Sequence, residues 1–371
     1  MMNEQKKNIA YVSNYPHFKM GGQKSMLALI RELDRNIFNP HCFVPEKGEL
    51  SEELERLKCK VHFIKVPPLK PKNYPKLPSL LKNIREILNN EKIDIVHPDS
   101  ERDALLFGLA CRFSKTRLIW HVRLTRKDPQ DAIIYRLSDG VIGISDGVAN
   151  RFESFKNFKS KFRKIFNGAD LNKFYPLDNK SNKQKKLGID SSKRNILFAG
   201  QLKDGKGILD LLKASKLVDS STHFYFAGKQ LKDKDYDKYQ LFVNQQELKE
   251  KVSFLGHVNN VNEWMQACDI LVLPSHEGVE GMGRVIFEAM ACGCVPIGSN
   301  TSGVKEAIFE GSGLLFEAHD HIDLSEKINS LVTDKKLLDA MSLKSIELAR
   351  KHFDIKNHAK NVMKFYEDIL N

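Results

Sequence analysis

Short β-branched or aromatic runs alternate with amphipathic helical stretches along almost the whole chain, and the series starts twice. The first half offers strands at "NIAYVS", "NPHCFVP", "KVHFIKV", "DIVHP", "RLIWHV" and "GVIGIS". Helical periodicity lies between them at "GQKSMLALIREL", "LPSLLKNIREILNN" and "ALLFGLACRF". After a polar Asn/Lys/Ser/Gln stretch at 178–194, which reads as a linker, the series restarts. Its second set is "NILFAG", "THFYFAG", "KVSFLG", "DILVLP", "VPIGS" and "GLLFE". Strand alternating with helix calls for parallel sheets wrapped on both faces. A chain of 371 residues exceeds one ordinary core. The pattern therefore predicts two doubly wound α/β domains, 1–175 and 176–354, with a cleft between them. Ligands in such sheets sit beyond the carboxyl ends of the strands, so the loops there are where chemistry is sought.

Composition narrows the setting. The net charge of +12 is uneven: residues 1–175 carry 32 Lys and Arg against 20 Asp and Glu, and the remainder balances at 27 against 27. Such asymmetry suits an anionic partner for the first half, a membrane surface, nucleic acid or an acidic acceptor, although a soluble basic protein reads the same way. No apolar run reaches bilayer-spanning length. The opening "MMNEQKKNIAYVSNYP" lacks the apolar core of a secretory signal. The six cysteines (42, 59, 111, 268, 292, 294) form no CxxC pair and sit in apolar contexts. Reduced thiols in a cytoplasm fit them better than disulfides, and the pair flanking Gly293 reads as packing rather than metal binding.

Three motifs compete for the chemistry. "GQLKDGK" at 200–206 fits seven positions of a P-loop, but Gly207 stands where a hydroxyl would hold magnesium. A lysine between glycines at a helix start remains a good phosphate seat. "GISDG" at 143–147 matches a nucleophile elbow around Ser145, with Asp269 and His276 as later partners; a helix N-cap is the plainer reading of Ser145. The third is "HEGVEGMGRVIFEAMACGCVP" at 276–296, which crowds three glutamates and four glycines where a strand hands over to a helix. Bare amides at Gly281 and Gly283 can approach an anion or a sugar hydroxyl closely. Glu280 in the turn and Glu288 two turns along the helix both accept hydrogen bonds, which suits a polyhydroxylated ligand.

The third motif resembles the donor-site signature of retaining glycosyltransferase family 4, which has the GT-B fold. The likeness runs through nearly the whole chain. "YPHFKMGGQKSMLALIREL" is similar to the family's N-terminal glycine-rich loop and helix, "RLIWHVR" to its histidine strand, and "IFNGADLNKFYP" to its hinge. "NILFAGQLKDGKGILDLLKA" resembles its diphosphate loop and "VSFLGHV" its base-side loop. In this likeness a C-terminal helix near 355–371 packs back on the first domain.

The resemblance implies roles for particular residues. Glu288 holds the ribose hydroxyls. Glu280 reaches the donor sugar, with the amides of Gly281, Met282 and Gly283 serving sugar and diphosphate. Lys206 neutralises charge on the departing diphosphate, Gly22 approaches the same phosphates from the other domain, and His121 lies beside the transferred sugar. Gln201 departs from the family's usual arginine, so a neutral donor replaces a charged one; Lys203 and Arg284 are nearby cations that could compensate. Glu277 has no family role and reads as a solvated loop residue.

The implied activity is retaining transfer of a sugar from a nucleotide diphosphate sugar, UDP favoured over GDP, without a metal or other cofactor. The acceptor is a saccharide or lipid-linked saccharide, as in bacterial surface-polysaccharide or glycolipid synthesis. A non-catalytic sugar-nucleotide binder and a GT-B epimerase are the alternatives. The expected location is the cytoplasm. The stretch "RFESFKNFKSKFRKIF" at 151–166 places phenylalanines on one helical face beside basic residues. It is either a helix lying on an anionic inner-membrane face or a helix packed on the first sheet. No nucleic-acid motif accompanies it.

Overall fold

The computed structural model describes all residues except 1–5, 18–20, 113 and 230–232, together with the backbone alone of 233–235. The chain divides into two compact units, one of residues 1–167 with 355–371, the other of residues 168–354. The division falls after Asn167, earlier than the boundary expected after Tyr175.

In the first unit the described strands are β1 (Lys7–Val12), β2 (Phe38–Val44), β3 (Lys60–Phe63), β4 (Ile95–Pro98), β5 (Arg117–Val122), β6 (Gly140–Gly143) and β7 (Phe162–Lys164). They form one parallel sheet in the order β3-β2-β1-β4-β5-β6-β7. Alternate residues of β1 serve opposite faces, as the two-residue strand period requires. Ile9 and Tyr11 enter a core that includes Leu27 and Ile30 of the helix Gly21–Arg31 and Val362, Phe365 and Tyr366 of the helix Ile355–Leu370. Ala10 and Val12 enter a second core with Ile84, Leu88 and Phe107. With both faces buried, the strands can be apolar throughout.

The second unit holds β8 (Arg194–Ala199), β9 (Thr222–Ala227), β10 (Val252–Gly256), β11 (Ile270–Leu273), β12 (Val295–Ser299) and β13 (Leu314–Phe316). Their order is β10-β9-β8-β11-β12-β13, and all pairs are parallel. Each sheet therefore reverses its winding once, between β1 and β4 in the first unit and between β8 and β11 in the second. The loops that follow those four strands are the ligand-binding positions of a doubly wound sheet.

Two readings of the sequence are corrected. The stretch 178–194 is not an open linker. It contains the helix Ser181–Leu187, anchored by Gln184 Nε2 donating to Ala267 O at 3.0 Å, Lys180 to Cys268 O at 3.0 Å and Lys183 to Glu263 at 2.9 Å. Nor is 151–166 one amphipathic helix. It is a run of turns, a single helical turn at Phe158–Lys161, and the edge strand β7. Arg151 is buried and paired with Asp131, and Phe152 packs among Trp120, Tyr135 and Phe155. Lys161 donates to Tyr135 O at 2.6 Å and Lys164 pairs with Asp146. Bonds within the fold thus hold side chains that the helical reading turned to an outer surface. All six cysteines are free and buried. Among the described residues no helix is long and apolar enough to cross a membrane.

Candidate functional site

Three loops of the second unit, after the neighbouring strands β8, β11 and β12, converge. The loop after β8 makes a tight turn at Asp204–Lys206 and enters the helix Ile208–Leu217 through Gly207, whose φ is +67°. A Cβ there would lie 1.9 Å from Pro274 O in the loop after β11, so only glycine allows this approach. The two loops are further joined by His276 N donating to Gly205 O at 3.0 Å and by His276 Nε2 against Asp210 Oδ2 at 2.9 Å. The loop after β12 closes on the same place: a Cβ on Gly303 would lie 2.1 Å from Glu280 O.

This folding brings Lys206 and Glu280 together as an ion pair. Their side chains are 14% and 15% exposed, and Ser275 Oγ donates to the same Glu280 oxygen at 3.1 Å. Gln201 follows β8 on the same loop as Lys206, with its carbonyl accepting from Lys203 N at 3.1 Å. Gly281, Met282 and Gly283 lead into the helix Arg284–Ala291, and the Met282 side chain is buried. Glu288 is on that helix, 6% exposed, and accepts from Arg284 Nη2 at 2.7 Å. Arg284, which sequence reasoning offered as a substitute for the missing arginine at 201, is therefore engaged with Glu288.

Glu277 is an exposed loop acid, as the sequence suggested, but it is tied into the fold. Its carboxylate accepts from Ser302 N at 3.0 Å, from Ser302 Oγ, and from Gly278 N at 3.3 Å. Burial pushes its pKa up, but these hydrogen bonds outweigh burial and hold it below the ordinary carboxylate range. Glu277 pins the loop after β11 to the loop after β12, which positions Glu280. Asp210, His276 and His319 offer ligand atoms within 4.8 Å of one another beside the same loops, as do His41, His62 and Glu91 in the first unit. Ser145 caps the helix Asp146–Ala149, its Oγ accepting from Val148 N at 3.2 Å, which is the plainer of its two sequence readings.

In the first unit, Gly22 lies in the first turn of the helix after β1, and a Cβ on it would meet Asp99 Oδ2 at 2.9 Å. Asp99 follows β4, the strand across the winding reversal. Arg123 Nε donates to Asp99 at 3.3 Å and its Nη1 to Asn167 at 2.9 Å. His121, near the end of β5, is completely buried. Its Nδ1 lies 3.0 Å from His97 Nε2 and 3.5 Å from Arg123 Nη2. Its Nε2 has no hydrogen-bond partner among the described residues. Burial, then Arg123, His97 and His358, hold the imidazole well below its usual pKa, so it is neutral. Sequence reasoning missed His97, Asp99 and Arg123. The signal was present: "HPD" and "HVR" end two strands with a histidine and, two residues on, a charge.

A family model described as glycosyl transferases group 1 matches residues 179–347, and one described as glycosyltransferase family 4 matches residues 20–173. The chain belongs to this glycosyltransferase family. It is 27% identical over 98% of its length to an Escherichia coli UDP-Gal:alpha-D-GlcNAc-diphosphoundecaprenol alpha-1,3-galactosyltransferase, 97% of which is covered. It is 28% identical over 62% of its length to an uncharacterized glycosyltransferase of Methanocaldococcus jannaschii, of which that match spans 60%. The crystal structure of the Anabaena protein HepE with UDP and glucose superposes with a TM-score of 0.83 at 18% identity, covering 97% of this chain and 99% of that one. The fold is GT-B, built from two Rossmann-like domains.

Proposed function

We propose that the chain is a retaining glycosyltransferase that moves a sugar from a nucleotide diphosphate sugar, UDP-linked in preference to GDP-linked, to a saccharide or lipid-linked saccharide. The observation that carries this reading is the joining of Lys206 and Glu280 where the loops after β8, β11 and β12 converge. A cation, the peptide N–H groups of a glycine-rich loop and a carboxylate in one place suit a ligand that is diphosphate at one end and polyol at the other. Glu288, on the adjoining helix, takes the ribose hydroxyls. The full-length relative from Escherichia coli, named for a UDP-linked donor and a diphosphoundecaprenol-linked acceptor, supports both choices.

The reaction places growing negative charge on the leaving diphosphate, so preorganised cations and amides supply most of the rate enhancement. Lys206 meets that charge by exchanging Glu280 for phosphate, and Gly281, Met282 and Gly283 contribute peptide N–H groups. Glu280, relieved of the lysine, accepts from sugar hydroxyls. His121 serves the transferred sugar and Gly22 the phosphates. The acceptor's proton passes to a donor phosphate oxygen in a front-face attack, and the reading needs no further cofactor. The setting is surface-polysaccharide or glycolipid synthesis in the cytoplasm, with an anionic membrane face as the partner of the basic first half.

Thermal shift against UDP, GDP and ADP and their sugar conjugates, followed by product analysis, tests the reading. UDP and its conjugates raise the melting temperature, and free UDP accumulates only when an acceptor or water takes the sugar. A response to none of the three nucleotides would overturn it.

A further inference from the structure

His121 is the end of a buried hydrogen-bond chain that starts in another strand and passes through the C-terminal helix. Tyr11 of β1, His97 of β4 and His121 of β5 lie on three adjacent strands. Tyr11, Ile95 beside His97 and Ile119 beside His121 share the core covered by the helix Ile355–Leu370, which supplies Tyr366. Tyr11 and Tyr366 hydroxyls are 3.1 Å apart, Tyr366 OH bonds to His97 Nδ1, and His97 Nε2 is 3.0 Å from His121 Nδ1. All four side chains are buried.

Arg123 favours one direction for the chain, and the Tyr366 and His97 bonds must run with it for that direction to hold. A guanidinium donates and never accepts, so Arg123 Nη2, 3.5 Å from His121 Nδ1, requires that nitrogen to be an acceptor. His97 must then donate from Nε2, which leaves its Nδ1 to accept from Tyr366, whose oxygen accepts from Tyr11. The reverse direction would point a guanidinium N–H at an imidazole N–H. Both imidazoles are neutral, His97 being held down to about 3 by burial, then by Arg123 and His358. A neutral His121 that accepts at Nδ1 carries its proton on Nε2, the atom without a partner among the described residues. An unmade hydrogen bond from a buried donor is costly, and its persistence points to a ligand atom that completes it.

We propose that Tyr366 and His97 are positioning residues that hold His121 as its Nε2–H tautomer, so that it donates a hydrogen bond to an oxygen of the transferred sugar. This rests on the reading of His121 as a sugar-side group. The helix Ile355–Leu370 follows the whole second unit in sequence, yet through Tyr366 it sets the protonation of a group in the first. Donation, rather than acceptance, restricts the partner to an oxygen lone pair and leaves the acceptor's proton to be taken elsewhere.

Long-range ¹⁵N–¹H correlation of histidine-labelled full chain reads the tautomer directly. Wild-type His121 is expected to be protonated at Nε2, and Tyr366→Phe, which keeps the ring and removes the hydroxyl, to introduce the Nδ1–H form. Turnover by Tyr366→Phe falls about tenfold or more, with KM for the nucleotide sugar changed less than about twofold. An Nδ1–H His121 in the wild type would overturn the proposal even if no variant folded. So would a Tyr366→Phe protein that keeps both the wild-type tautomer and the wild-type turnover. His121→Ala separates the two readings. Undiminished turnover there removes His121 from the reaction and with it the sugar contact, while the ¹⁵N spectra still decide who sets the tautomer.

Discussion

Lys206 and Glu280, 74 residues apart in sequence, meet as an ion pair whose carboxylate also accepts from Ser275 Oγ at 3.1 Å. The pair has a consequence for donor binding, because a carboxylate and a diphosphate compete for one ammonium. Glu280→Gln removes the competing charge and keeps the shape. Turnover is expected to fall more than about tenfold through loss of the sugar contact, while UDP affinity by calorimetry stays equal or tightens. A parallel fall in both would mean that Glu280 serves only to hold Lys206 in place.

Glu288→Ala separates nucleotide recognition from chemistry. The variant loses the ribose acceptor and leaves the Arg284 guanidinium without the carboxylate it now holds at 2.7 Å. Loss of a hydrogen bond to a charged group is worth about 1.5–3 kcal/mol, so Kd for UDP should rise roughly tenfold to a hundredfold. Unchanged affinity removes Glu288 from the site.

The strands and the glycine-rich turns were legible in the sequence because buried parallel strands are apolar for their whole length. "DILVLP" and "NILFAG" needed no context to be read. β7 was hidden because its three residues, Phe162–Lys164, continue a basic-aromatic spacing that mimics a helix, while the actual burial comes from side chains far away in sequence. The helix Ser181–Leu187 was hidden for the opposite reason: polar side chains bonded to carbonyls and to Glu263 hold it, so it shows no apolar stripe. At the site, Lys206, Glu280 and Glu288 could be singled out from glycine spacing and family resemblance. The roles of Glu277 and Asp99 could not be read there, although "HPD" marked Asp99, since they depend on Ser302 and Arg123, residues that only folding brings near.

Two left-handed glycines offer a matched test of the loop packing. Gly188 caps the helix Ser181–Leu187 at φ +69° with nothing within 4 Å of a Cβ placed there, whereas a Cβ on Gly207 at φ +67° would meet Pro274 O at 1.9 Å. Gly188→Ala incurs only the conformational penalty, about 1–2 kcal/mol. Gly207→Ala incurs the same penalty and must also push the loops after β8 and β11 apart. Denaturant melts should show the second variant to be the less stable by a clear margin, with weaker UDP binding. Equal losses would mean that the approach to Pro274 is not tight.

Stability should fall in mild acid. Burial holds His41 down to about 4, with His62 adding to the effect, and His97 down to about 3, from an ordinary 6.5. The unfolded chain therefore takes up protons that the folded chain refuses. Folded-state stability is fully present above 6.5 and is lost as pH falls from there toward 4 and below. Each such histidine contributes up to about 1.4 kcal/mol per pH unit in that window. Asp103 acts the other way, its pKa raised to about 6 by burial against hydrogen bonds from Ser100 and Asn14. Urea melts across this range, with imidazole resonances followed in parallel, check the sign. A stability that stays flat while His97 titrates near 6.5 would show that the buried chain is open to water.

Lys206 is central to the proposed reaction, as the cation that receives the diphosphate. Lys206→Ala, assayed for UDP affinity by calorimetry and for sugar transfer under single-turnover conditions, is the most direct measurement. Transfer should slow well beyond tenfold, a barrier increase of more than about 1.4 kcal/mol, and UDP should bind more weakly. A folded Lys206→Ala protein that binds UDP like the wild type and transfers sugar at a similar rate would contradict this role.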